Sequence, residues 1–560
     1  MRKILLLALA VLFFTGLQAQ ENQFKAVPAW MKTAYFYQIY PQSFKDTNGD
    51  GIGDINGIIE KLDYIKWLGC NAIWLNPCFE SAFRDAGYDV IDFYKVAPRY
   101  GTNADLKRLF KEAHQRGMHV CLDLVAGHTS DQNAWFKASQ KKEKNEFTDR
   151  FIWTNDSTIK PEKYVSGKFE RNGTYRKNFF DCQPALNYGF ANPDPTHPWE
   201  QPVTAEGPRK TRQELMKIMD FWLEMGADGF RVDMAPSLIK NDPDKVETNK
   251  LWAEVRTHVQ QKYPESVLIA EWGHPGRAMK AGFMMDFMIH LGPDAYSAMF
   301  FNEEGTYPRD SCYFRLDGRG TPTDFVKVYM QNLKDAAGKG YVCVPTANHD
   351  FQRPACGSRD TDDQLKVAMT FFMTLQSVPL IYYGDEIGLR FIPGLPDFEG
   401  SLINKKYNRA GTRTPMQWNS KTGAGFSEGD PASFYLPLDS SVFRPNVEAQ
   451  VENPSSLLSF TRKLIELRKE TEALGLDGKI EFLYAKKCSY PLVYQRSNGK
   501  ETYLIVLNPS GTRQKVSFDY PAKVKSVIPV LINRIAVKSG SNQLTIDADG
   551  VSYGIFKLNI

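Results

Sequence analysis

Short apolar runs recur along the chain, with helical patterns between them. They are "AYFYQIY" (34–40), "NAIWLNP" (71–77), "HVCLDLV" (119–125), "GFRVDMA" (229–235), "VLIAEW" (267–272), "FMMDFMI" (283–289), "GYVCVP" (340–345) and "VPLIYYG" (378–384). Runs of this length predict buried strands. In 103–117, Leu106, Leu109, Phe110 and Ala113 share one helical face; in 212–225, Leu215, Ile218, Met219, Trp222 and Leu223 do so. Strands and helices alternating eight times predict an α/β fold, the parallel (β/α)8 TIM barrel.

Two stretches depart from this rhythm. The segment 129–207, between the third and fourth strands, is rich in aromatics, Asn, Pro and Lys and includes "KKEKNE". It predicts an inserted domain over the barrel mouth. After about residue 475 the pattern turns β-rich, in "YPLVYQ", "TYLIVLN", "KVSFDY" and "YGIFKL". A C-terminal all-β domain follows, expected as a sandwich. The expected organisation is therefore barrel over 28–128 and 208–474, insert over 129–207 and β-domain over 475–560.

The opening "MRKILLLALAVLFFTGLQAQ" pairs two basic residues with a short apolar run and small residues. It predicts a signal peptide over 1–19 and an exported protein, periplasmic or extracellular. No other run reaches the ~18 apolar residues of a bilayer span, so no membrane span is expected after cleavage. A net charge of +4, with no basic stripe, argues against a nucleic-acid partner. The eight cysteines lack paired spacing, so neither a disulfide framework nor a zinc motif is expected. Cys121 and Cys343, inside apolar runs, are expected as small buried hydrophobes.

In such a barrel the reacting groups come from the C-terminal ends of different strands. The third strand ends in "DLVAGHTSD", with Asp123 and His128, and the fourth carries Arg231 and Asp233. The fifth ends at Glu271 in "AEWGHP", and the seventh leads to His349 and Asp350 in "ANHD". Any one of these alone is commonly a structural ion pair or a core histidine. Converging on one mouth, they predict a catalytic site. Strand alternation puts Arg231 and Asp233 on one face.

"DLVAGH", "GFRVD", "AEWG" and "ANHD", in this order, resemble the four signature segments of the α-amylase family, glycoside hydrolase family 13. The likeness runs from "YQIYPQSF" through "RTPMQW" to the β-rich end, closest in pattern to the oligo-1,6-glucosidase, α-glucosidase and trehalose synthase-like branch. The resemblance implies that Asp233 is the nucleophile, Glu271 the general acid/base and Asp350 the third carboxylate, gripping the sugar. His128 and His349 would hold hydroxyls of the reacting glucose. Arg231 is expected to favour the ionised nucleophile, and Glu271 to be kept protonated by its anionic neighbours.

"DAGYD" (85–89) resembles the "DxGYD" of exo-acting α-glucosidases. That likeness implies that Asp85 caps the non-reducing glucose and Tyr88 stacks beneath it. Arg413, in "RAGTRTPMQW", would pair with Asp85 and close the pocket, the alternative being a purely structural ion pair. "QPALN" (183–187) resembles the branch's "QPDLN", with Ala185 in place of the acid.

In "DTNGDGIGD", Asp46, Asn48, Asp50 and Asp54 fall among glycines like the oxygen ligands of an EF-hand loop; a plain polar turn is the alternative. The loop resembles the calcium loop of the same branch, where the carbonyl at the position of Ile52 also ligates. One structural Ca2+ is expected.

Departures keep the specificity open. Gly127 stands where most members have Asn, which puts a second calcium in doubt. Pro236 and Ser237 replace the Lys-His pair of many endo-acting amylases, and Met234 follows the nucleophile where α-1,6-specific members usually have Val. The expectation is an exported retaining glycosidase cleaving α-1,4 and/or α-1,6 bonds of an α-glucan or oligosaccharide substrate from the non-reducing end. An endo-acting α-amylase, a trehalose synthase-like isomerase and a non-catalytic glycan-binding relative are the alternatives.

Overall fold

The computed structural model describes residues 24–289, 296–301, 312–404 and 407–560. The expected signal peptide over 1–19 lies outside the described residues. Eight short parallel strands form the centre: β1 Phe36–Ile39, β2 Ala72–Leu75, β3 His119–Leu124, β4 Gly229–Val232, β5 Val267–Ala270, β6 Met285–Phe287, β7 Tyr341–Cys343 and β8 Leu380–Tyr382. They follow one another in chain order around the sheet, and β8 returns to pair with β1, Phe36 facing Leu380. Among the described residues β7 and β8 share no ladder and are linked by a bridge between Cys343 and Val378, so the barrel is nearly closed. Cys121 and Cys343 are fully buried in it.

The strands are shorter than the apolar runs that announce them. β4 stops at Val232 because Met234 takes a left-handed backbone (φ +45°), which swings the chain out of the ladder beyond Asp233. At the other end of β4 a glycine is obligatory. A Cβ on Gly229 would lie 2.2 Å from the Val267 carbonyl oxygen of the neighbouring strand.

Helix α1 (Asn103–Gln115) starts at a reciprocal cap in which Thr102 and Asp105 each accept the other's backbone N–H. It buries the predicted Leu106, Leu109, Phe110 and Ala113. Helix α2 (Glu206–Met225) starts six residues before the predicted 212, with Pro208 in its first turn, where no N–H is needed. It ends at left-handed Gly226, and Trp222 is fully buried against the barrel.

Between β3 and α2 the chain is mostly irregular, with one short helix, Ala134–Ser139, and one two-residue strand pair. Phe136, Phe151, Trp153 and Tyr175 pack together with ring centroids 4.9–5.5 Å apart, a core of aromatics in place of regular structure. Bridges from His128 to Ala185 and from Phe190 to Lys240 stitch this segment to the barrel.

The C-terminal domain is all-β: β9 Lys479–Tyr484, β10 Leu492–Ser497, β11 Thr502–Asn508, β12 Gln514–Asp519, β13 Ser526–Ser539 and β14 Gln543–Asn559. These six are hydrogen-bonded into one sheet, because the long β14 pairs with β12 over its first half and with β11 over its second. The long β13–β14 hairpin bends where Arg534 and Val551 adopt positive φ. Its two arms thereby enclose a core, Val493, Leu504 and Val506 meeting Leu544, Ile546 and Ala548.

Candidate active site

Three adjacent strands assemble the first cluster. Asp123 on β3 and Arg231 on β4 face each other in the ladder. The Asp123 carboxylate accepts from Arg231 Nη1 at 2.8 Å, the Tyr88 hydroxyl at 2.9 Å and the Trp74 indole at 3.1 Å. The same guanidinium reaches Asp233 Oδ1 at 3.4 Å and Glu271 Oε2 at 2.8 Å. Glu271 Oε2 also accepts the Met234 N–H at 2.9 Å, which the turn after β4 presents.

Three carboxylates thus share one guanidinium. Burial, and next the charge of Glu271, push the Asp233 carboxyl well above the usual range despite the pull of Arg231. The two carboxyls stand within hydrogen-bond reach of each other. Arg231 does favour the ionised Asp233, as expected, but burial and Glu271 outweigh it, and the guanidinium lies nearer Asp123 and Glu271. Burial likewise raises Asp123 to about 6. Arg231 is 1% exposed, so it supports the reacting groups from beneath and does not line the pocket as a sugar contact.

A second cluster adjoins the first through Tyr88 and His349. Asp350 Oδ1 accepts from Arg409 Nη1 and Arg413 Nη2, each at 3.0 Å. Arg409 continues through Nη2 to Asp85 Oδ1 at 3.0 Å, and Gln183 of "QPALN" donates to the other Asp85 oxygen at 2.7 Å. Asp85 therefore pairs with Arg409, which sequence reasoning missed, and not with Arg413. Arg409–Thr412 is a 3-10 helix, in which a residue four places on points a third of a turn away. Arg413 accordingly turns to Asp350 and donates through Nε to the His349 carbonyl at 2.7 Å. Burial raises Asp85 to about 6, opposed chiefly by Arg409.

His349 and Tyr88 join the clusters. His349 Nδ1 lies 3.2 Å from the Gln38 amide nitrogen and 3.1 Å from that of Asn76, two donors that assign the ring proton to Nε2. Nε2 then faces the Tyr88 hydroxyl at 2.8 Å and Asp350 Oδ2 at 3.3 Å. Burial pulls the His349 pKa well down, keeping the ring neutral. The Tyr88 ring stacks on that imidazole, centroids 5.3 Å apart. His128 behaves differently from its expected role. Asn178 donates to its Nδ1 at 3.0 Å, its Nε2 bonds the Tyr88 carbonyl at 2.8 Å, and burial lowers its pKa to about 4. Neither ring nitrogen is left for a sugar, so His128 fastens the insert and the Tyr88 turn.

The 46–54 loop lies apart from these clusters in its bonding. Asp46 accepts the N–H groups of Asn48, Gly49 and Gly51, Asn48 that of Asp50, and Asp50 that of Ile52. Asp54 accepts from Thr47 and caps the following helix through Gly57. Gly51, the sixth residue of the loop, has φ +86° and donates to Asp46, the turn a calcium loop requires there. Among the described residues no three acidic, His or Cys side chains converge tightly enough to hold a metal alone. The donor chemistry that fits a hard cation combines Asp46, Asn48, Asp50 and Asp54 with the Ile52 carbonyl.

Comparison with known proteins agrees with this geometry. The chain is 32% identical to the trehalose synthase/amylase of Mycolicibacterium smegmatis over 489 residues, 80% of this chain and 77% of that protein. It is 32% identical to the oligo-1,6-glucosidase of Parageobacillus thermoglucosidasius over 539 residues, 86% and 90% of the two. Among solved structures, a mutant isomaltulose synthase of Erwinia rhapontici NX5 in complex with sucrose superposes at a TM-score of 0.78 with 27% identity, over 96% of this chain and all of that one. The family model for the alpha amylase catalytic domain matches residues 38–477. The chain belongs to the α-amylase family, glycoside hydrolase family 13, and is a glycoside hydrolase enzyme.

Proposed function

We propose that this enzyme is an exported, retaining α-glucosidase that removes glucose from the non-reducing ends of malto- or isomalto-oligosaccharides. The observation that carries this reading is the Asp85–Arg409–Asp350 bridge, a buried wall of paired charge beside the reacting carboxyls. A terminal glucose can offer its free 4-hydroxyl to that wall; a chain continuing at that position would collide with it.

Asp233 attacks the anomeric carbon while Glu271 protonates the departing glycosidic oxygen, leaving glucose esterified to Asp233. Glu271, now a carboxylate, takes a proton from the incoming water, whose oxygen displaces Asp233 with net retention. The first step needs a proton on Glu271 and the charge on Asp233. Arg231 contacts both carboxyls and stabilises whichever is ionised. The closeness of the two carboxyls supports the retaining reading, in which the pair stands about 5–5.5 Å apart, over the wider spacing of an inverting pair.

A second reading, transfer of the glucosyl group to a sugar instead of water, is supported by the trehalose synthase relatives and by Pro236 after the nucleophile. Incubation with maltose, isomaltose, trehalose and a chain-end-blocked maltoheptaoside, with products followed by chromatography, separates the readings. Glucose alone from maltose or isomaltose supports the exo-hydrolase. Trehalose formed from maltose supports the transferase, and rapid cleavage of the blocked substrate would overturn both in favour of an endo-amylase. A calcium ion at Asp46, Asn48, Asp50, Asp54 and the Ile52 carbonyl belongs to the same proposal, as a brace for the loop without part in the chemistry.

A further inference from the structure

Strand β6 carries a carboxylate that the steps above do not use. Asp286, in the middle of "FMMDFMI", is fully buried. It sits beside Ala270, the residue before Glu271, in the β5–β6 ladder. Its Oδ1 accepts the N–H of Trp272 at 2.9 Å, of Gly273 at 3.3 Å and of its own neighbour Phe287 at 2.9 Å, and its Oδ2 accepts the N–H of His274 at 2.9 Å. Among the described residues no Lys, Arg or His side chain pairs with it. A buried carboxylate costs several kcal/mol in desolvation unless its oxygens are well satisfied, and here main-chain amides do all of it.

Three of those amides are consecutive and immediately follow Glu271. Gly273 has φ +74°, so the turn Trp272–Gly273–His274 curls its N–H groups inward as a concave anion-binding nest. Glu271 is thereby held from both sides. Its own N–H donates to the Val232 carbonyl at 3.0 Å in the barrel ladder, and the chain beyond it is turned by Asp286. Its side chain then meets Arg231 and the Met234 N–H. An acceptor-only group suits a nest made wholly of donors; an amide would turn an N–H2 against one of them.

We propose that Asp286 is a positioning residue for the acid/base: by filling the nest after Glu271 it sets where that carboxyl stands over the leaving oxygen. The inference rests on the assignment of Glu271 as acid/base, and the test separates the two. Acid assistance matters for a sugar leaving group and little for fluoride. Asp286→Asn should lower kcat for maltose at least tenfold with KM changed less than twofold, yet lower turnover of α-glucosyl fluoride less than threefold. Glu271→Gln should show the same split, more strongly. If Glu271→Gln lacks the split, the assignment of the acid/base fails. If Glu271→Gln shows it while Asp286→Asn loses both substrates equally, or neither, the positioning role alone is overturned. Should Asp286→Asn not fold, Gly273→Ala disturbs the same nest from the other side and is read in the same way.

Discussion

The two charged clusters, joined through Tyr88 and His349, are built to opposite rules. On the strand β3–β5 side, Asp123, Asp233 and Glu271 surround one guanidinium, so full ionisation would leave a charge of −2, three negatives against one positive. On the other side Asp85 and Asp350 meet Arg409 and Arg413, two against two, and the sum is zero. The imbalance on the first side favours proton uptake, and burial with the charge of Glu271 raises the Asp233 carboxyl accordingly. A balanced cluster is tied together by its own ion pairs and holds its shape. The first is suited to bond making and breaking, the second to measuring what has been bound.

The comparison breaks most visibly if the nucleophile is neutralised. Asp233→Asn should reduce turnover of every glycoside by roughly a thousandfold or more, because an amide cannot form the glycosyl ester. Circular dichroism should report an intact fold, and near-normal turnover on any glycoside would sink the site assignment.

Next in size is the balanced side. Stranding one charge of a buried pair costs about 2–5 kcal/mol when binding depends on it, and each ~1.4 kcal/mol is a decade. Arg409→Ala and Asp85→Ala should each reduce kcat/KM on maltose at least about tenfold, with a far smaller effect on any residual cleavage of a chain-end-blocked maltoheptaoside. Arg413→Ala, which leaves the Asp85–Arg409 pair standing, should not reproduce that ratio. Equal losses on both substrates for Arg409→Ala would remove the end wall from the account.

A smaller effect concerns pH. Asp85 and Asp123 are both raised to about 6 from the ordinary carboxylate range near 4. The folded chain therefore binds more protons than the unfolded one between about pH 4 and 6, and these two groups favour the fold most at the acid end of that window. Their contribution declines as pH rises through 6. Asp85→Asn removes one such group, so its Tm should fall less steeply than the wild type's across that window; an identical slope would count against the raised value.

The smallest expected change lies outside both clusters. A chelator should lower Tm by a few degrees if calcium binds the folded 46–54 loop, because such a ligand stabilises by mass action. Asp50→Ala should remove that sensitivity, and activity at low temperature should stay unchanged. Melting curves indifferent to chelator in both proteins would leave a plain turn.

Much of this was legible in the chain itself. Parallel strands are buried on both faces and read as apolar runs, so the barrel and its polar strand ends stand out, and Asp233, Glu271 and Asp350 with them. What stayed hidden depended on local rotation or on backbone. Arg409 and Arg413 are alike in sequence, and only the 3-10 turn between them decides which meets Asp85. Asp286 sits inside a run read as core, and its partners are main-chain amides that leave no trace in residue types. His128 carried the right motif, but Asn178, fifty residues on, occupies its nitrogen. The single C-terminal sheet turns on the backbone of Arg534 and Val551, residues that do not advertise a bend.

The Asp85–Arg409 contact joins residues 324 positions apart. During synthesis, at about 5–20 residues per second, that interval alone takes roughly 16–65 s. Asp233 and Glu271 emerge long before it is over. A growing chain therefore owns its reacting carboxyls well before it owns the wall that selects their substrate, and a product truncated ahead of residue 409 keeps the former without ever gaining the latter.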